Sequence, residues 1–539
     1  MPATHEVSNQ PPPLRDFNRF LANPPLRAAL AREGAPWADE ELIARGVELG
    51  SGEWIERGET ANRNRPRLRL FDRFGHRLDR FDFDPAWHAC LDWLKRQCLA
   101  GAAWHDARTG AAVRRAALFQ LFAEVECGSL CPATMSHSAV PLLALSPALA
   151  DPWLRLLQAP VHDGRDLPIA QKSGLLIGMG LTEKQGGSDL RANTTRAVPA
   201  GDGWYALTGH KWFFSVPNSD AHLVTAQAAD GLSCFFLPRF LPDGRRNAVR
   251  IQRTKDKLGD HANASAEVEF DAALAWPIGG EGRGIATIIE MANHTRLDCA
   301  SGSAGIMHGV FSEALHHARH RHAFGKPLIE QPLMAAVLAD LALECAGHSA
   351  LCLRAAATVD HPGDGGERLL KRLLTPLAKY WICKRTPTVV AETMEVLGGN
   401  GYIEEGPIAR PFRQSPLNSI WEGAGNVMCL DLLRVLAREP HAREVLISEL
   451  ERPLGIHPAH DRQVARIKDQ LRREPVEAQA RWLAEELAVA LEASCLLRTP
   501  GVLAEAFCNS REAARGQCLG AVAAPALAAG EVLRAVGAG

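Results

Sequence analysis

The spacing of apolar residues divides the chain into segments of different character. In RAALFQLFAEVE the apolar residues recur at helical spacing, and turn-rich stretches such as NPPLR and SPALADP interrupt the pattern, so residues 1–178 are predicted to be mainly helical. From 179 to 283 the apolar runs become short and strand-like, as in WYALTGHKWFFS, HLVTAQAA, LSCFFLPRF and ASAEVEFDAALAW. We therefore expect a central β domain.

Longer helical patterns return in residues 284–437. They predict helices over 285–322, 327–360, 367–398 and 416–437 with short connections, which is typical of an antiparallel four-helix bundle. Residues 438–539 are rich in Ala, Leu, Arg and Glu and predict a further helical domain. The fold class is α+β, mainly α, and the order of segments alone does not name a fold.

Composition and charge exclude some classes of protein. With 539 residues, 46% of them hydrophobic, the chain can bury several cores. The net charge of −2 excludes a generally basic protein that coats nucleic acid, although it permits a local basic patch.

The cysteines and the N-terminus indicate the compartment. The 13 cysteines are scattered, and Cys127 and Cys131, with His137 nearby, have no second pair at metal-binding spacing. We therefore expect reduced thiols and no metal. The segment MPATHEVSNQPPPLRDFN lacks the apolar core of a signal peptide, and we find no apolar run of roughly 18 residues. These features predict a soluble, cytoplasmic protein without a membrane partner.

Five short segments carry candidate chemistry: MGLTEKQGGSDL (179–190), KWFFS (211–215), RHAFG (321–325), EVLGGNGY (395–402) and IWEGAGNVM (420–428). Gly186 and Gly187 let backbone N–H groups approach an anionic or carbonyl-rich ligand, and Thr182 and Ser188 add hydroxyl donors. In KWFFS, aromatic rings can stack on a planar ligand and the hydroxyl can bond its edge. An ordinary glycine loop and a core strand are the alternative interpretations.

Two other motifs also admit a second interpretation. His316 and His320 are four residues apart on one helix, but no carboxylate or cysteine set accompanies them, so a metal site is not expected. Glu422 stands between Trp421 and Gly423 just before an apolar helix, where a glutamate is commonly a cap or a partner of the helix dipole.

In this order and spacing, the five segments resemble the acyl-CoA dehydrogenase family over residues 170–437. The resemblance implies a helical N-terminal domain, a central β domain and a helical bundle, here followed by an extra C-terminal helical domain. It implies that the cofactor is FAD and that Glu422 is the catalytic base. A carboxylate in a dry pocket has a raised pKa and can remove the α-proton of an acyl thioester while a hydride moves to the flavin.

The same resemblance implies how FAD is held. The loop 179–190 would hold the pyrimidine edge, Arg321 would reach the diphosphate across a subunit interface, and Gly398 and Gly399 would approach the adenosine half from the neighbouring protomer, so the protein would be an oligomer. The residues assigned to FAD in this way are Met179, Gly180, Leu181, Thr182, Glu183, Lys184, Gln185, Gly186, Gly187, Ser188, Phe213, Phe214, Ser215, Arg321, Phe324, Gly398, Gly399, Ile420, Trp421, Gly423, Ala424, Gly425 and Asn426. The departures from the family pattern are Lys184 for proline, His322 for glutamine, Trp421 for tyrosine and Ala424 for threonine.

Beyond the motifs, the whole chain is similar to the alkylation-response flavoproteins of that family, in NQPPPL, EVECGSLCP, GHKWFFSVP and NSIWEGAGNVMCLDLLRVL among other stretches. That similarity implies a homotetramer, weak dehydrogenase activity on short branched acyl-CoA of the isovaleryl-CoA type, and binding of double-stranded DNA by residues 438–539. It also implies protection of DNA against alkylating agents, together with destruction of those agents. A true short- or branched-chain dehydrogenase without a DNA role is the alternative.

The residues themselves give limited support for DNA binding. From Arg438 onward there are 13 basic and 14 acidic residues, a net of −1, so a phosphate-binding face must come from arrangement. The best candidate is DRQVARIKDQLRRE, with Arg462, Arg466, Arg472 and Arg473. On one helix Arg462, Arg466 and Arg473 would share a face, which could equally be a solvated surface. No base-reading motif appears, so any binding should be weakly sequence-selective.

Overall fold

The structure is a computed structural model and describes residues 4–474, 476–512 and 517. Its described residues form two compact units that alternate along the chain. The sheet unit comprises Leu49–Ala111 and Phe122–Asp298. The bundle unit comprises the residues up to Glu48, then Ala112–Leu121, and the chain from Cys299 onward.

Helices dominate the N-terminal part and the second half of the described chain. The α-helices are α1 Pro24–Arg32, α2 Asp39–Gly50, α3 Gly52–Arg63, α4 Pro85–Arg96, α5 Ala111–Ala123, α6 Leu130–Leu143, α7 Arg155–Leu157, α8 Gly284–His320, α9 Pro332–Ala357, α10 Gly365–Leu397, α11 Ala409–Gln414, α12 Gly425–Arg438, α13 Ala442–Glu451, α14 Pro458–Leu471, α15 Ala480–Leu497 and α16 Val502–Ser510. The strands are β1 Arg67–Phe71, β2 Arg77–Asp82, β3 Ile177–Gly180, β4 Arg196–Gly201, β5 Trp204–Ser215, β6 Ala221–Ala228, β7 Gly231–Pro238, β8 Val249–Thr254, β9 Ser265–Ile278, β10 His322–Ala323 and β11 Lys326–Pro327.

The predicted β domain is confirmed as a seven-stranded sheet in the sheet unit. Its strands follow the order β3-β6-β4-β5-β9-β7, β8 pairs with β9, and β6 also pairs with β7, so that β6, β4, β5, β9 and β7 form a closed ring. Alternate residues of these strands point inward and build a core that includes Leu207, Phe214, Val224, Phe235 and Val268. The prediction of a mainly helical N-terminal segment missed the antiparallel hairpin of β1 and β2.

The predicted bundle helices are largely confirmed. α8, α9 and α10 lie within a few residues of the expected spans, and α8 runs for 37 residues. The fourth prediction, 416–437, began too early, because α12 starts only at Gly425 and the preceding residues form a short helix and a loop around Glu422. The C-terminal helices pack on the bundle: α15 contacts α9, α10 and α12, and α13 contacts α10.

One bundle helix qualifies the statement that no apolar run is long enough to span a membrane. By length and composition α9, Pro332–Ala357, could cross a bilayer, and 72% of its most apolar window is buried inside the protein. Its neighbours α10 and α15 cover it, as in the core helix of a globular bundle.

A buried polar cluster joins the C-terminal helices to the bundle. Trp381 Nε1 donates to Glu492 Oε1 at 3.0 Å, His348 Nε2 lies 3.8 Å from Glu344 and 3.7 Å from Glu492, and Arg511 Nη2 lies 3.1 Å from Glu344. Burial, reinforced by the charge of Glu344, raises the pKa of Glu492 well above its usual value. Burial likewise lowers the pKa of His348 to about 4, so this imidazole is neutral near pH 7.

Candidate active site

A buried ion pair between Lys211 and Glu183 anchors the loop 179–190 to the sheet. Lys211 Nζ of β5 lies 2.8 Å from Glu183 Oε1, and both side chains are fully buried. The other carboxylate oxygen of Glu183 accepts the N–H of Thr194 at 2.7 Å. Burial alone would raise the pKa of Glu183, but the charge and hydrogen bond of Lys211 lower it to about 2. Glu183, predicted to contact the cofactor, therefore directs its carboxylate into the protein and shapes the loop.

The turn of this loop requires a glycine. Glu183 N–H donates to Gly186 O at 2.7 Å, and a Cβ on Gly186 would lie 2.4 Å from Asn193 Oδ1. Gly187 and Ser188 are exposed beyond the turn, and Thr182 is half-buried beside them. The loop therefore presents backbone N–H groups and two hydroxyls on its outer side, the donors expected for the edge of a planar, carbonyl-rich ligand. The remaining predicted loop residues are Met179, Leu181, Lys184 and Gln185, of which Lys184 and Gln185 are exposed.

Two neighbouring aromatic residues of β5, Phe213 and Phe214, lie on opposite faces of the strand. Phe213 is 49% exposed, and Lys255 Nζ lies 4.8 Å from its ring centroid. The ring of Phe214, also predicted to contact the cofactor, faces the core of the sheet unit, because successive residues of a strand face opposite sides. Its ring is 1% exposed and stacks on His222 at 3.8 Å, and a Cβ on Gly180 would lie 2.3 Å from it. A break in register between Lys211 and Phe214 marks a bulge, a feature that re-aims side chains near ligand sites.

In the bundle unit, the RHAFG segment is held by the N-terminal chain. The Asn9 side chain pairs with the backbone of His322, donating to its carbonyl at 2.8 Å and accepting its N–H at 2.8 Å. Arg321 Nη1 donates to the carbonyl of Asn9. The guanidinium that was predicted to reach the FAD diphosphate is thus oriented by its own chain.

Neighbouring residues extend this contact. Gln10 Oε1 accepts from Asn400 Nδ2 at 3.2 Å, and Pro12 O lies 2.7 Å from His316 Nε2. We call residues 9–12 the N-terminal clasp, because this one segment binds both RHAFG and the glycine turn after α10. His316, considered as a metal ligand from its spacing, is instead bound to a backbone carbonyl.

The backbone of Gly398 and Gly399 and the side chain of Phe324 are exposed on the bundle unit. A Cβ placed on Gly398 or Gly399 would meet nothing within 4 Å, and Gly398 has φ +61°, a conformation that favours glycine. Phe324 is 98% exposed at φ +50°. An open glycine backbone and an uncovered aromatic ring are suited to contact a ligand or a second chain.

Glu422 lies at the start of a loop that reverses the chain before α12. It is half-buried and has φ +59°, followed by Gly423 at φ +102°. Trp421 Nε1 donates to Asn418 Oδ1 at 2.9 Å. The ammonium of Lys379, from the middle of α10, donates to the carbonyls of Trp421, at 2.8 Å, and of Gly423. Sequence reasoning missed Lys379, whose only signal was a lysine inside the apolar run LLTPLAKYWIC.

The other residues predicted around Glu422 have separate roles. Ile420 is 64% exposed, and Ala424 is the residue that caps α12. Gly425 is buried, where a Cβ would lie 2.8 Å from Lys384 Cε. The side-chain oxygen of Asn426 accepts from Arg481 at 2.7 Å, so Asn426 is engaged with the C-terminal helices.

The chemistry of these groups fits FAD. Hydroxyl and backbone donors at Gly187 and Ser188 match the pyrimidine edge, and the exposed ring of Phe213 offers a flat apolar surface. The guanidinium of Arg321 has donors beyond the one that Asn9 uses, and its fork matches phosphate oxygens.

The predicted DNA-binding arginines are less uniform than expected. α14 ends at Leu471, so Arg473 lies beyond the helix and does not share a helical face with Arg462 and Arg466. Arg462 Nε lies 2.7 Å from Glu512 and Arg466 Nη1 lies 3.8 Å from it. Arg472 pairs with Asp469 at 2.9 Å. These carboxylates offset part of the positive charge, and Arg473 is exposed.

Family models cover most of the chain. Residues 9–164 match the Adaptive response protein AidB N-terminal domain, 178–273 match the acyl-CoA dehydrogenase middle domain, and 282–437 match the acyl-CoA dehydrogenase C-terminal domain.

Known proteins agree with these matches. The chain is 50% identical over 516 residues to AidB of Escherichia coli (strain K12), covering 95% of both chains. It is 30% identical to acyl-CoA dehydrogenase family member 11 of Caenorhabditis elegans over 76% of this chain and 69% of that protein. The crystal structure of Caenorhabditis elegans ACDH-11 in complex with C11-CoA has a TM-score of 0.88 at 25% identity and covers 96% of this chain and 94% of that one. An acyl-CoA dehydrogenase from Bacillus anthracis complexed with FAD has a TM-score of 0.61 at 18% identity, covering 79% and 80%, and shares the fold.

Proposed function

Because the chain belongs to the acyl-CoA dehydrogenase family, in its AidB-like branch, and is an FAD-dependent oxidoreductase, we propose that it oxidises a short branched acyl-CoA thioester of the isovaleryl-CoA type, with Glu422 as the base. The observation that carries this proposal is the loop around Glu422. A half-buried carboxylate sits at a left-handed backbone position, and a buried lysine binds the carbonyls on both sides of it.

The chemistry assigned to Glu422 is proton transfer. Its carboxylate takes the proton from the α-carbon of the thioester and becomes neutral, which a partly dry environment favours. FAD, when bound, supplies the acceptor for the hydride that leaves the β-carbon. The exposed residues of the loop 179–190 would hold the ring system of FAD, and Arg321 would meet the diphosphate of the neighbouring subunit's FAD.

The test is Glu422→Gln. The amide is close in shape to the carboxylate but cannot accept the proton, so we expect normal FAD content and a rate of flavin reduction lower by about 10²–10⁴-fold. Anaerobic mixing with a panel of acyl-CoA thioesters, followed by flavin absorbance, measures this rate. Glu405→Gln, at an exposed glutamate 17 residues earlier in the chain, is the matched control. Flavin bleaching by isovaleryl-CoA at the wild-type rate in Glu422→Gln would assign the base to another residue.

A second proposed function is binding of duplex DNA in the response to alkylating agents, either by shielding DNA or by destroying alkylating compounds. It is supported by the helices beyond residue 437, where the acyl-CoA dehydrogenase model ends, and by the exposure of Arg472 and Arg473. The partial pairing of Arg462 and Arg466 with Glu512 argues for few phosphate contacts per subunit.

Replacing Arg462, Arg466, Arg472 and Arg473 with alanine tests the DNA proposal. Binding should weaken, and the slope of log K against log salt should flatten by about 0.9 for each phosphate that is no longer neutralised. Mobility-shift titrations at several salt concentrations measure both quantities. The control replaces four arginines of the sheet unit: Arg73, Arg196, Arg245 and Arg253. Equal weakening in both variants would indicate non-specific charge, and no wild-type binding would leave the dehydrogenase without a DNA role.

We further propose a homotetramer. Large apolar side chains lie uncovered on the bundle unit, among them Phe324 at 98%, Leu333 at 85% and Tyr402 at 80% exposure. A subunit contact would bury such residues next to Arg321 and the glycine turn. Light scattering that finds a stable FAD-bound monomer would contradict this assembly.

A further inference from the structure

The loop that carries Glu422 is held in an unfavourable backbone conformation. A non-glycine residue at φ +59° is in the left-handed region, which is costly unless surrounding contacts hold it there. Two of the contacts that hold the loop come from one buried residue. Lys379 Nζ binds the carbonyl of Trp421 at 2.8 Å and the carbonyl of Gly423.

These two hydrogen bonds restrain the backbone on either side of Glu422. The carbonyl of Trp421 belongs to the peptide plane before Glu422, and the carbonyl of Gly423 belongs to the plane after Gly423. Tying both limits rotation on either side of the Glu422 Cα and so fixes the direction of its Cα–Cβ bond. The indole bond from Trp421 to Asn418, at 2.9 Å, restrains the same segment from its other face.

The burial of Lys379 indicates that this contact is its main role. The residue is 1% exposed, and within the described chain no carboxylate lies within ion-pair distance of its ammonium. A buried ammonium normally needs a carboxylate to offset its desolvation. Here two carbonyl dipoles take that place, and both belong to the Glu422 loop.

We propose that Lys379 is the positioning residue for Glu422: its ammonium holds the flanking carbonyls so that the carboxylate meets the acyl α-carbon at a fixed angle. This inference rests on the proposed function of Glu422 as base. Lys379 itself exchanges no proton and touches neither substrate nor cofactor in this role.

The first measurement is the limiting rate of flavin reduction in Lys379→Met. A displacement of the base by about 1 Å can lower a rate by about 10²-fold, and we expect a fall of that order. The dissociation constant for acyl-CoA should stay within about threefold, because Lys379 makes no contact with the substrate in this role. Rates are expressed per bound FAD, because Trp421 and Gly423, whose carbonyls Lys379 binds, are predicted to contact the cofactor. Lys379→Arg keeps the charge and the donors and should recover part of the rate. Lys371→Met, eight residues earlier on α10, is the matched control and should behave as wild type.

A double variant separates positioning from general damage. If Lys379 acts through Glu422, then Lys379→Met should lower the residual rate of Glu422→Gln by less than twofold, since residues that act as one unit are not additive. A full 10²-fold loss on that background, or a wild-type rate in Lys379→Met alone, would overturn the proposal. If Lys379→Met does not fold, Lys379→Arg replaces it. Any loss of rate that Lys379→Arg shows with Glu422 present should then shrink to less than twofold in Glu422→Gln.

A second measurement does not depend on catalysis. Amide hydrogen exchange in residues 417–428 should accelerate at least tenfold in Lys379→Met and remain unchanged in Lys371→Met. If no acyl-CoA reduces the wild-type flavin, the proposed function fails, while exchange still tests the contact. Unchanged exchange in Lys379→Met would overturn the positioning role whatever the wild-type activity.

Discussion

Lys211→Met removes the cation beneath the loop 179–190 and leaves Glu183 buried without its charge partner. Lys211 Nζ is bound to Glu183 at 2.8 Å and to the carbonyl of Thr225 at 2.8 Å, and both charged side chains are fully buried. Methionine fills similar space but donates no hydrogen bond. The perturbation therefore isolates the charge and the hydrogen bonds rather than the packing.

The structure sets the size of the expected effect. Breaking a buried ion pair by removing one partner costs about 3–5 kcal/mol, whereas an exposed pair contributes about 0–1 kcal/mol. We expect the sheet unit to lose about 4 kcal/mol of stability near pH 7. Arg253→Met is the control, because Arg253 pairs with Glu267 while 67% exposed. It should cost less than about 1 kcal/mol.

The effect should depend on pH with a definite sign. Burial would raise the pKa of Glu183, and Lys211 lowers it to about 2 in the folded protein. The pair therefore stabilises the fold fully above the ordinary carboxyl pKa near 4.5, and this contribution is lost as pH falls towards 2. The difference between wild type and Lys211→Met should shrink between pH 7 and pH 3.

Urea unfolding at both pH values, with amide exchange in residues 181–195 as the local probe, measures this difference. Adding Glu183→Gln to Lys211→Met should recover most of the loss, because the uncompensated charge is then gone. The reasoning would be refuted by a cost below about 1 kcal/mol at pH 7, or by a double variant less stable than Lys211→Met alone.

Two further predictions concern the bundle unit. Asn9→Ala removes two hydrogen bonds to His322, worth about 1 kcal/mol each. It should weaken FAD binding roughly tenfold, because it loosens the segment whose backbone carbonyl orients Arg321; flavin release followed by fluorescence measures this, and an unchanged dissociation constant would contradict it. Since burial raises the pKa of Glu492, its cost to folding grows as pH rises above the ordinary carboxyl range. Glu492→Gln, which keeps an acceptor for Trp381, should stabilise the protein near pH 8 and leave it nearly unchanged near pH 4; a gain in urea midpoint that does not grow with pH would refute it.

The long elements of the fold could be predicted because their patterns are long. α8, α9 and α10 carry 26 to 37 residues of continuous helical character. The hairpin of β1 and β2, RLRLF and RLDRFD, was missed because arginine and aspartate alternate with its few apolar residues. Leu68, Leu70 and Phe81 do form an apolar face that packs against the core of the sheet unit, but in strands of five and six residues this alternation is too short to stand out among the charged residues.

The candidate site could be predicted only where a motif was compact. Glu422 and the loop 179–190 lie in short runs whose residue types indicate their chemistry. The side chains of Lys379 and Asn9 bind backbone atoms that are 42 to 44 and 313 residues away, respectively. Any residue can provide a backbone carbonyl or N–H, so the sequence does not show which backbone groups these side chains will bind. Phe213 and Phe214 were both assigned to cofactor contact, because the KWFFS motif does not indicate which face of β5 is inside.

The N-terminal clasp also sets an order of events during synthesis. Asn9 emerges from the ribosome 313 residues before His322, and Gln10 precedes Asn400 by 390. At ordinary elongation rates this delay is on the order of 15 to 80 seconds. The segment that orients Arg321 is thus made long before its partners. The contact proposed between Arg321 and the cofactor can therefore be oriented by the N-terminal clasp only after 322 of the 539 residues have been synthesised.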